Sequence, residues 1–252
     1  MRRKIDTKRI LGRYEGSEKG PLFICTGAMH GNEPAGVSAI DLVFKMLEVE
    51  PIRNPGFVFK GRMLGLIGNR RAFEKSVRFV DKDLNRSFDS QQLLRLQSSP
   101  LEKLKSEELE FLELTDLIRN EIEDYQPERI FFLDLHTTSS HGGIFTICRN
   151  LEEDIRIGTA MHAPIVLGII EGLKGTTLHY FTSENMGIPT IPITFESGQH
   201  QEGMAVNRAV AGIINCMKEV GCLDPEDVEN HHEQILIDYG KSLPGHHSCQ
   251  TS

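Results

Sequence analysis

The stretch "PLFICTGAMHGNEPAG", Pro21 to Gly36, runs an apolar, β-branched segment straight into a glycine-rich polar turn. The segment has the composition of a buried strand. Pro34 suits the first position of a helix, where its fixed φ is already helical and its missing N–H is not needed. Beyond it, the apolar residues of "AGVSAIDLVFKML" (35–47) recur at helical spacing. The turn holds His30 and Glu33. It can be read as half of a metal site, as a phosphate cradle or as an ordinary polar turn.

The same alternation continues along the chain. "FVFKGRMLGLIGN" (57–69) reads as a second strand, and "LEKLKSEELEFLELTDLIRNEIEDY" (101–125) as a long acidic amphipathic helix closed by Pro127. "RIFFLDLH" (129–136) is the near-continuous apolar run of a strand buried in a parallel sheet. Further strands are expected in "GIFTIC" (143–148), "APIVLGII" (163–170) and "IPTIPITFE" (188–196), with a short helix over 151–162. A helix over 202–220 is stopped by Gly221. Strands alternating with helices predict an α/β fold whose central sheet is largely parallel and covered on both faces. Residues 1–223 are expected to form the catalytic domain, and 224–252 a C-terminal tail or the remnant of an appended domain.

Composition narrows the function classes. With 39% hydrophobic and 25% charged residues in 252, the chain has the material for a sizeable core. A net charge of −8 argues against a nucleic-acid partner, because neutralising phosphates takes clustered Lys and Arg. No apolar run reaches the length of a membrane span. The five cysteines are odd in number and scattered, and the charged N-terminus lacks a signal-peptide apolar stretch, so a cytoplasmic setting is expected.

In an open α/β sheet, ligands bind beyond the carboxyl ends of the strands. Three polar groups fall at such ends: His30 with Glu33, His136, and Glu196. Two histidines and a carboxylate make a common catalytic zinc set, and a further carboxylate can act as general base. Taken singly, each has a plainer reading as a hydrogen-bonded or solvated group. The phosphate cradle is set aside, since the turn lacks the P-loop lysine and its glycines do not match a dinucleotide fingerprint. The connection "NRRAFEKSVRFVDKDLNRSFD" (69–89) is too long to be structureless in a compact domain, and its Phe73, Phe79, Leu84 and Phe88 are expected to pin it down. It carries Arg78, suited to stabilising an oxyanion, and the Asn85-Arg86 pair, suited to gripping a carboxylate. Asp81 and Asp83 read as structural groups that orient the arginines.

Four motifs occur in order: "GAMHGNEPAG" (27–36), "NRRAFEKSVRFVDKDLNRSF" (69–88), "DLHTTSSHGG" (134–143) and "FESGQHQEG" (195–203). Together they resemble the succinylglutamate desuccinylase/aspartoacylase family of the zinc carboxypeptidase clan, over roughly Pro21 to Gly221. The resemblance implies a three-layer α/β/α sandwich around a mixed sheet. It implies zinc ligation by His30, Glu33 and His136, with Glu196 activating water and passing the proton to the leaving amine. Arg78 would polarise the carbonyl, and Asn85 with Arg86 would hold the α-carboxylate of a small-molecule N-acyl amino acid. The reaction implied is amide hydrolysis. Carboxypeptidase action on short peptides and a noncatalytic zinc-binding module are the alternatives. The opening glycines are expected to leave room for metal and water.

Two departures from the family pattern bear on the substrate. Members acting on acyl-aspartate place a tyrosine, then an arginine four residues later, before the catalytic glutamate. Here "YFTSE" gives Tyr180 and Glu184, so a neutral or basic substrate side chain is expected over an acidic one. About thirty residues follow Gly221, too few for the β-rich domain of better-known members, so the site is expected to be more open or covered by a partner chain. Homo-oligomerisation stays open. The pairs His231-His232 and His246-His247 are read as incidental surface histidines, and His141 and His200 as neighbours of the site that do not bind metal.

Overall fold

The computed structural model describes residues 9–140 and 143–242. His141, the pair His246-His247 and the end of the chain from Leu243 lie outside the described residues. The strands are β1 (Ile10–Glu15), β2 (Glu18–Gly27), β3 (Lys60–Ile67), β4 (Ile130–Thr138), β5 (Ile144–Ile147), β6 (Ile165–Val166) and β7 (Thr190–Gln199). The helices are α1 (Ala35–Arg53), α2 (Arg70–Glu74), α3 (Ser90–Gln97), α4 (Ser106–Tyr125), α5 (Glu152–Ala160), α6 (Thr177–Tyr180), α7 (Ser183–Met186), α8 (Met204–Glu219) and α9 (Glu233–Ser242).

The strands form one sheet in the order β1-β3-β2-β4-β7-β5-β6. Its centre, β3-β2-β4-β7, is parallel, while β1 and β5 join antiparallel on either side. The sheet is therefore mixed with a parallel core, as expected. Side chains of a strand alternate between faces, and here the alternation sorts the core into two clusters. Phe23, Cys25, Phe131, Leu133, Ile193 and Phe195 meet α1 and α8 on one face. Leu22, Ile24, Ile130 and Phe132 meet α4 on the other.

Some elements differ from the sequence reading. "APIVLGII" forms only the two-residue β6, because Gly168 turns to φ +80 and a 3-10 turn at Ile170–Gly172 follows. Helix α4 starts at Ser106 rather than Leu101, after a separate 3-10 turn at Leu101–Lys103. Strand β1 and helix α3 are additions to the expected elements. Beyond residue 223, Leu236 of α9 is buried, and Asn230 Nδ2 donates to Ala211 O at 3.1 Å and Asn215 Oδ1 at 2.8 Å on α8. No helix among the described residues is long and apolar enough to cross a membrane.

The long connection 69–89 is held mainly by polar contacts. Leu84 and Phe88 are buried, but Phe79 is 39% exposed. Instead the fully buried Glu107 carboxylate of α4 accepts the backbone N–H groups of Val80 (2.7 Å), Asp81 (2.8 Å) and Lys82 (3.2 Å), and Asn69 Nδ2 at 3.1 Å. Glu110, one turn along, accepts from the N–H groups of Arg70 and Arg71, both at 3.0 Å. Asp81 returns the contact, its carboxylate accepting the Ser106 N–H at the start of α4 at 2.8 Å.

Replacing Glu107 by Ala leaves several buried donors without an acceptor, and is expected to lower unfolding free energy by about 3 kcal/mol in urea titration. A loss under about 1 kcal/mol would mean that Leu84 and Phe88 hold the loop instead.

Candidate metal centre

The turn after β2 brings His30 and Glu33 to the carboxyl edge of the sheet, next to the end of β4. On the α4 face of β4, Ile130 and Phe132 are core residues, and the next two positions of that face are Asp134 and His136. The register sets His136 beside Glu196 of β7, and Asp134 beside Thr194. The apolar pattern thus turns polar first on the α4 face, at the edge where strands end.

Ligand atoms of His30, Glu33 and His136 all lie within 4.8 Å of one another, and the three residues are buried. Both imidazoles present Nδ1 to the Glu33 carboxylate, His30 at 2.8 Å and His136 at 3.1 Å. Both present Nε2 to a second carboxylate, His30 to Asp83 at 3.2 Å and His136 to Asp134 at 2.9 Å. Asp134 is fixed in turn by the hydroxyls of Thr26 and Thr177, each at 2.7 Å. Carboxylates behind histidine ligands set ring orientation and tautomer at metal sites. Burial alone would raise the Glu33 pKa, but hydrogen bonds from His136 and His30 outweigh it and hold the carboxyl far below its ordinary range. Burial would lower the His136 pKa, but the charge and hydrogen bond of Asp134, with Glu33, drive it well up. These groups call for positive charge at the cluster, and two imidazoles with one carboxylate are a donor set that zinc accepts. The residues fit the metal.

Glu196 stands apart from this network. Its Oε2 is buried without a hydrogen-bond partner. Burial pushes its pKa up to about 7, against the opposing pull of His136. Arg78 is 43% exposed, bonds Asp83 at 3.0 Å and comes within 3.8 Å of Glu33. Asn85 accepts the Thr177 N–H at 3.0 Å and places Nδ2 3.4 Å from His136 Nε2. Arg86 is exposed and bonds the Asn85 carbonyl at 2.6 Å. His200 bonds the Thr137 hydroxyl at 2.8 Å rather than the cluster. His30, Glu33, Arg78, Asn85, Arg86, His136 and Glu196 all line one cavity of about 560 Å³.

The structure does not bring Tyr180 and Glu184 to that cavity. Tyr180 is 2% exposed, within an aromatic cluster with Phe88, Phe111 and Phe181, because its ring completes the core under α4. Glu184 is exposed on α7. The substrate argument from "YFTSE" therefore has no footing in the site. The opening glycines also act differently from expectation. A Cβ on Gly31 would come within 2.1 Å of the Ala72 carbonyl carbon, so that glycine admits the backbone of the long connection, not a metal. The sequence reading missed Asp134, Thr26 and Thr177. A polar residue two positions before His136 in an apolar strand shares its face, and that was the signal for Asp134.

Residues 19–219 match the succinylglutamate desuccinylase/aspartoacylase catalytic domain. An aspartoacylase of Xenopus tropicalis is 30% identical over 184 residues, 71% of this chain and 54% of that protein. A succinylglutamate desuccinylase of Pseudomonas fluorescens is 33% identical over 98 residues, 39% of this chain and 27% of that protein. The chain thus spans about half the length of the first of these relatives or less. The crystal structure of the succinylglutamate desuccinylase from Chromobacterium violaceum superposes with a TM-score of 0.59 at 19% identity, over 86% of this chain and 70% of that one, a likeness of fold. With four-fifths of its length inside the catalytic-domain match, this chain belongs to the succinylglutamate desuccinylase/aspartoacylase family.

Proposed function

We propose that the chain is a zinc-dependent amidohydrolase that removes the acyl group from an N-acyl amino acid. The observation that carries the reading is Glu196, whose buried Oε2 has no hydrogen-bond partner, beside the His30–Glu33–His136 cluster. One zinc per chain, held by those three residues, would supply a Lewis acid and make water a nucleophile near neutral pH. Glu196 takes the proton from the attacking water and delivers it to the amide nitrogen as the C–N bond breaks. Arg78, tethered by Asp83, is positioned to stabilise the oxyanion. Asn85 and Arg86 hold the substrate carboxylate. Tyr180 and Glu184 have no part in this reading.

The same carboxylate grip serves the C-terminus of a short peptide, so a panel of acyl amino acids and dipeptides decides between deacylase and carboxypeptidase. Turnover of dipeptides alone would sink the deacylase assignment. A noncatalytic zinc module is disfavoured, because a proton carrier and an oxyanion cation both face the cluster. Cys25, Cys148, Cys216 and Cys222 are free and buried, which supports a reducing, cytoplasmic setting.

Chelation is expected to abolish hydrolysis, with zinc restoring it. Glu196→Gln is expected to keep stoichiometric zinc while losing about 10³-fold in kcat. Full activity in that variant would show that another group carries the proton.

A second expectation concerns pH. In the metal-free protein the Glu196 pKa is raised from 4.5 to about 7, so the folded state holds its proton more tightly than the unfolded chain. Its contribution to stability is present below 4.5 and is lost as pH rises through about 7. Metal-free Glu196→Gln should therefore gain on the parent across that window, by up to about 3 kcal/mol above it. Parallel unfolding curves for the two proteins would contradict the raised pKa.

A further inference from the structure

The cavity of about 560 Å³ is lined by a polar set, Arg78, Asn85 and Arg86, and by an apolar set, Phe145, Ile147, Ile169, Leu173 and Leu178. The register shows where the character changes. His136 of β4 is beside Glu196 of β7, and Glu196 is opposite Phe145 of β5. In the next row, Asp134, Thr194 and Ile147 are partners in the same way. Directly paired residues project on one face. Crossing from β4 to β7 to β5 therefore passes from metal ligand to proton carrier to phenyl ring, in two steps of about 4.8 Å.

The rest of the apolar wall comes from Leu178 of α6, and from Ile169 and Leu173 in the segment between β6 and α6. Gly168 (φ +80) and Gly175 (φ +66) bend the chain at its two ends, in the left-handed region that glycine enters freely. Gly175 lies against the connection that carries Arg86: a Cβ there would come within 2.6 Å of the Arg86 carbonyl, and its own carbonyl accepts the Phe88 N–H at 3.0 Å. The apolar wall and the carboxylate grip are thus joined. Among the described lining residues, the permanent cations are Arg78 and Arg86, and both belong to the polar wall.

This layout constrains the leaving amino acid. Its nitrogen receives the proton of Glu196 and so lies over β7. Asn85, in contact with His136 and Thr177, marks the β4 side as the place of the carboxylate. The remaining large group on the α-carbon, the side chain, falls toward β5. An acidic side chain there would lose its hydration without gaining a cation, whereas an apolar one buries its surface. Resting on the activity proposed above, we infer that the substrate is the N-acyl derivative of an apolar amino acid, whose side chain is received by Phe145, Ile147, Ile169, Leu173 and Leu178.

The test compares kcat/KM of the zinc-loaded chain for N-acetyl-leucine, N-acetyl-phenylalanine, N-acetyl-aspartate and N-acetylglycine. The two apolar substrates are expected to exceed the aspartate by about 100-fold. Phe145→Ala is expected to lower kcat/KM for N-acetyl-leucine about tenfold more than for N-acetylglycine. An equal loss on both, a preference for aspartate, or a preference that follows acyl length and ignores the amino acid overturns the assignment. Calorimetric titration of zinc-loaded Glu196→Gln gives a readout independent of turnover. There N-acetyl-leucine should bind at least about tenfold tighter than N-acetyl-aspartate, and the reverse order overturns the pocket. Were no amide hydrolysed while that binding order held, the proposed activity would fail and the apolar pocket would stand.

Discussion

The Glu33 carboxylate lies between His30 Nδ1 and His136 Nδ1 and also accepts the Thr137 N–H at 3.1 Å. Glu33 and His136 are 103 residues apart, and this buried anion ties the turn after β2 to the end of β4. The tie is available because β2 and β4 are parallel neighbours whose carboxyl ends emerge together. It is held in place because Glu33 immediately precedes the first turn of α1, where the helix dipole favours negative charge. Asp83 and Asp134 then face the outer nitrogens of the two rings. The result is two imidazoles set among three carboxylates, a grouping whose charge balance improves when a divalent cation joins it. A cation held by this cluster would couple its affinity to folding.

The sheet explains why the site can be polar without opening the core. On β4 and β7 the α1–α8 face stays apolar as far as Leu135 and Phe195, while the opposite face has already changed to Asp134, His136, Thr194 and Glu196. One layer of the sandwich closes as a hydrophobic core, and the other gives way at its edge to the cavity. Period-two alternation therefore delivers both the packing and the chemistry from the same strands.

Much of this could be read from the sequence, for identifiable reasons. His30, Glu33, His136 and Glu196 each follow or end an apolar run, so the strand-end rule gathered them before any contact was known. The loop that bears Arg78, Asn85 and Arg86 was recognisable as ordered, but its fastening was not. Glu107 and Glu110 occur in an acidic helix whose composition reads as a solvated face, yet both are fully buried. Only the long-range approach of the 69–82 backbone makes burying those carboxylates favourable, and no local pattern encodes it. Tyr180 failed differently. An aromatic residue near the end of the chain's site motifs is as suitable for a core as for a cavity, and the neighbouring Phe88, Phe111 and Phe181 decide for the core. Gly31 was misread because what approaches it is the Ala72–Phe73 backbone, from a part of the chain that spacing does not connect to the turn.

The unpaired state of Glu196 is where local stability gives way to use. A buried carboxyl oxygen without a donor costs about 1–3 kcal/mol, and nearby Asn, Thr and His side chains could have supplied one. Instead those side chains are committed elsewhere: Asn85 Nδ2 lies 3.4 Å from His136 Nε2, Thr137 is bonded to His200, and His136 to Glu33 and Asp134. The contacts of His136 also fix the orientation of a residue of the candidate ligand cluster. On its other side Glu196 meets Phe145, which offers no hydrogen bond at all. The strand pairing thus sets an apolar residue, which can offer Glu196 no hydrogen bond, next to a carboxyl whose pKa burial raises. In the proposed reading, selectivity for an apolar substituent and the environment of the proton carrier depend on the same β5–β7 pairing. A polar residue at position 145 would weaken both together.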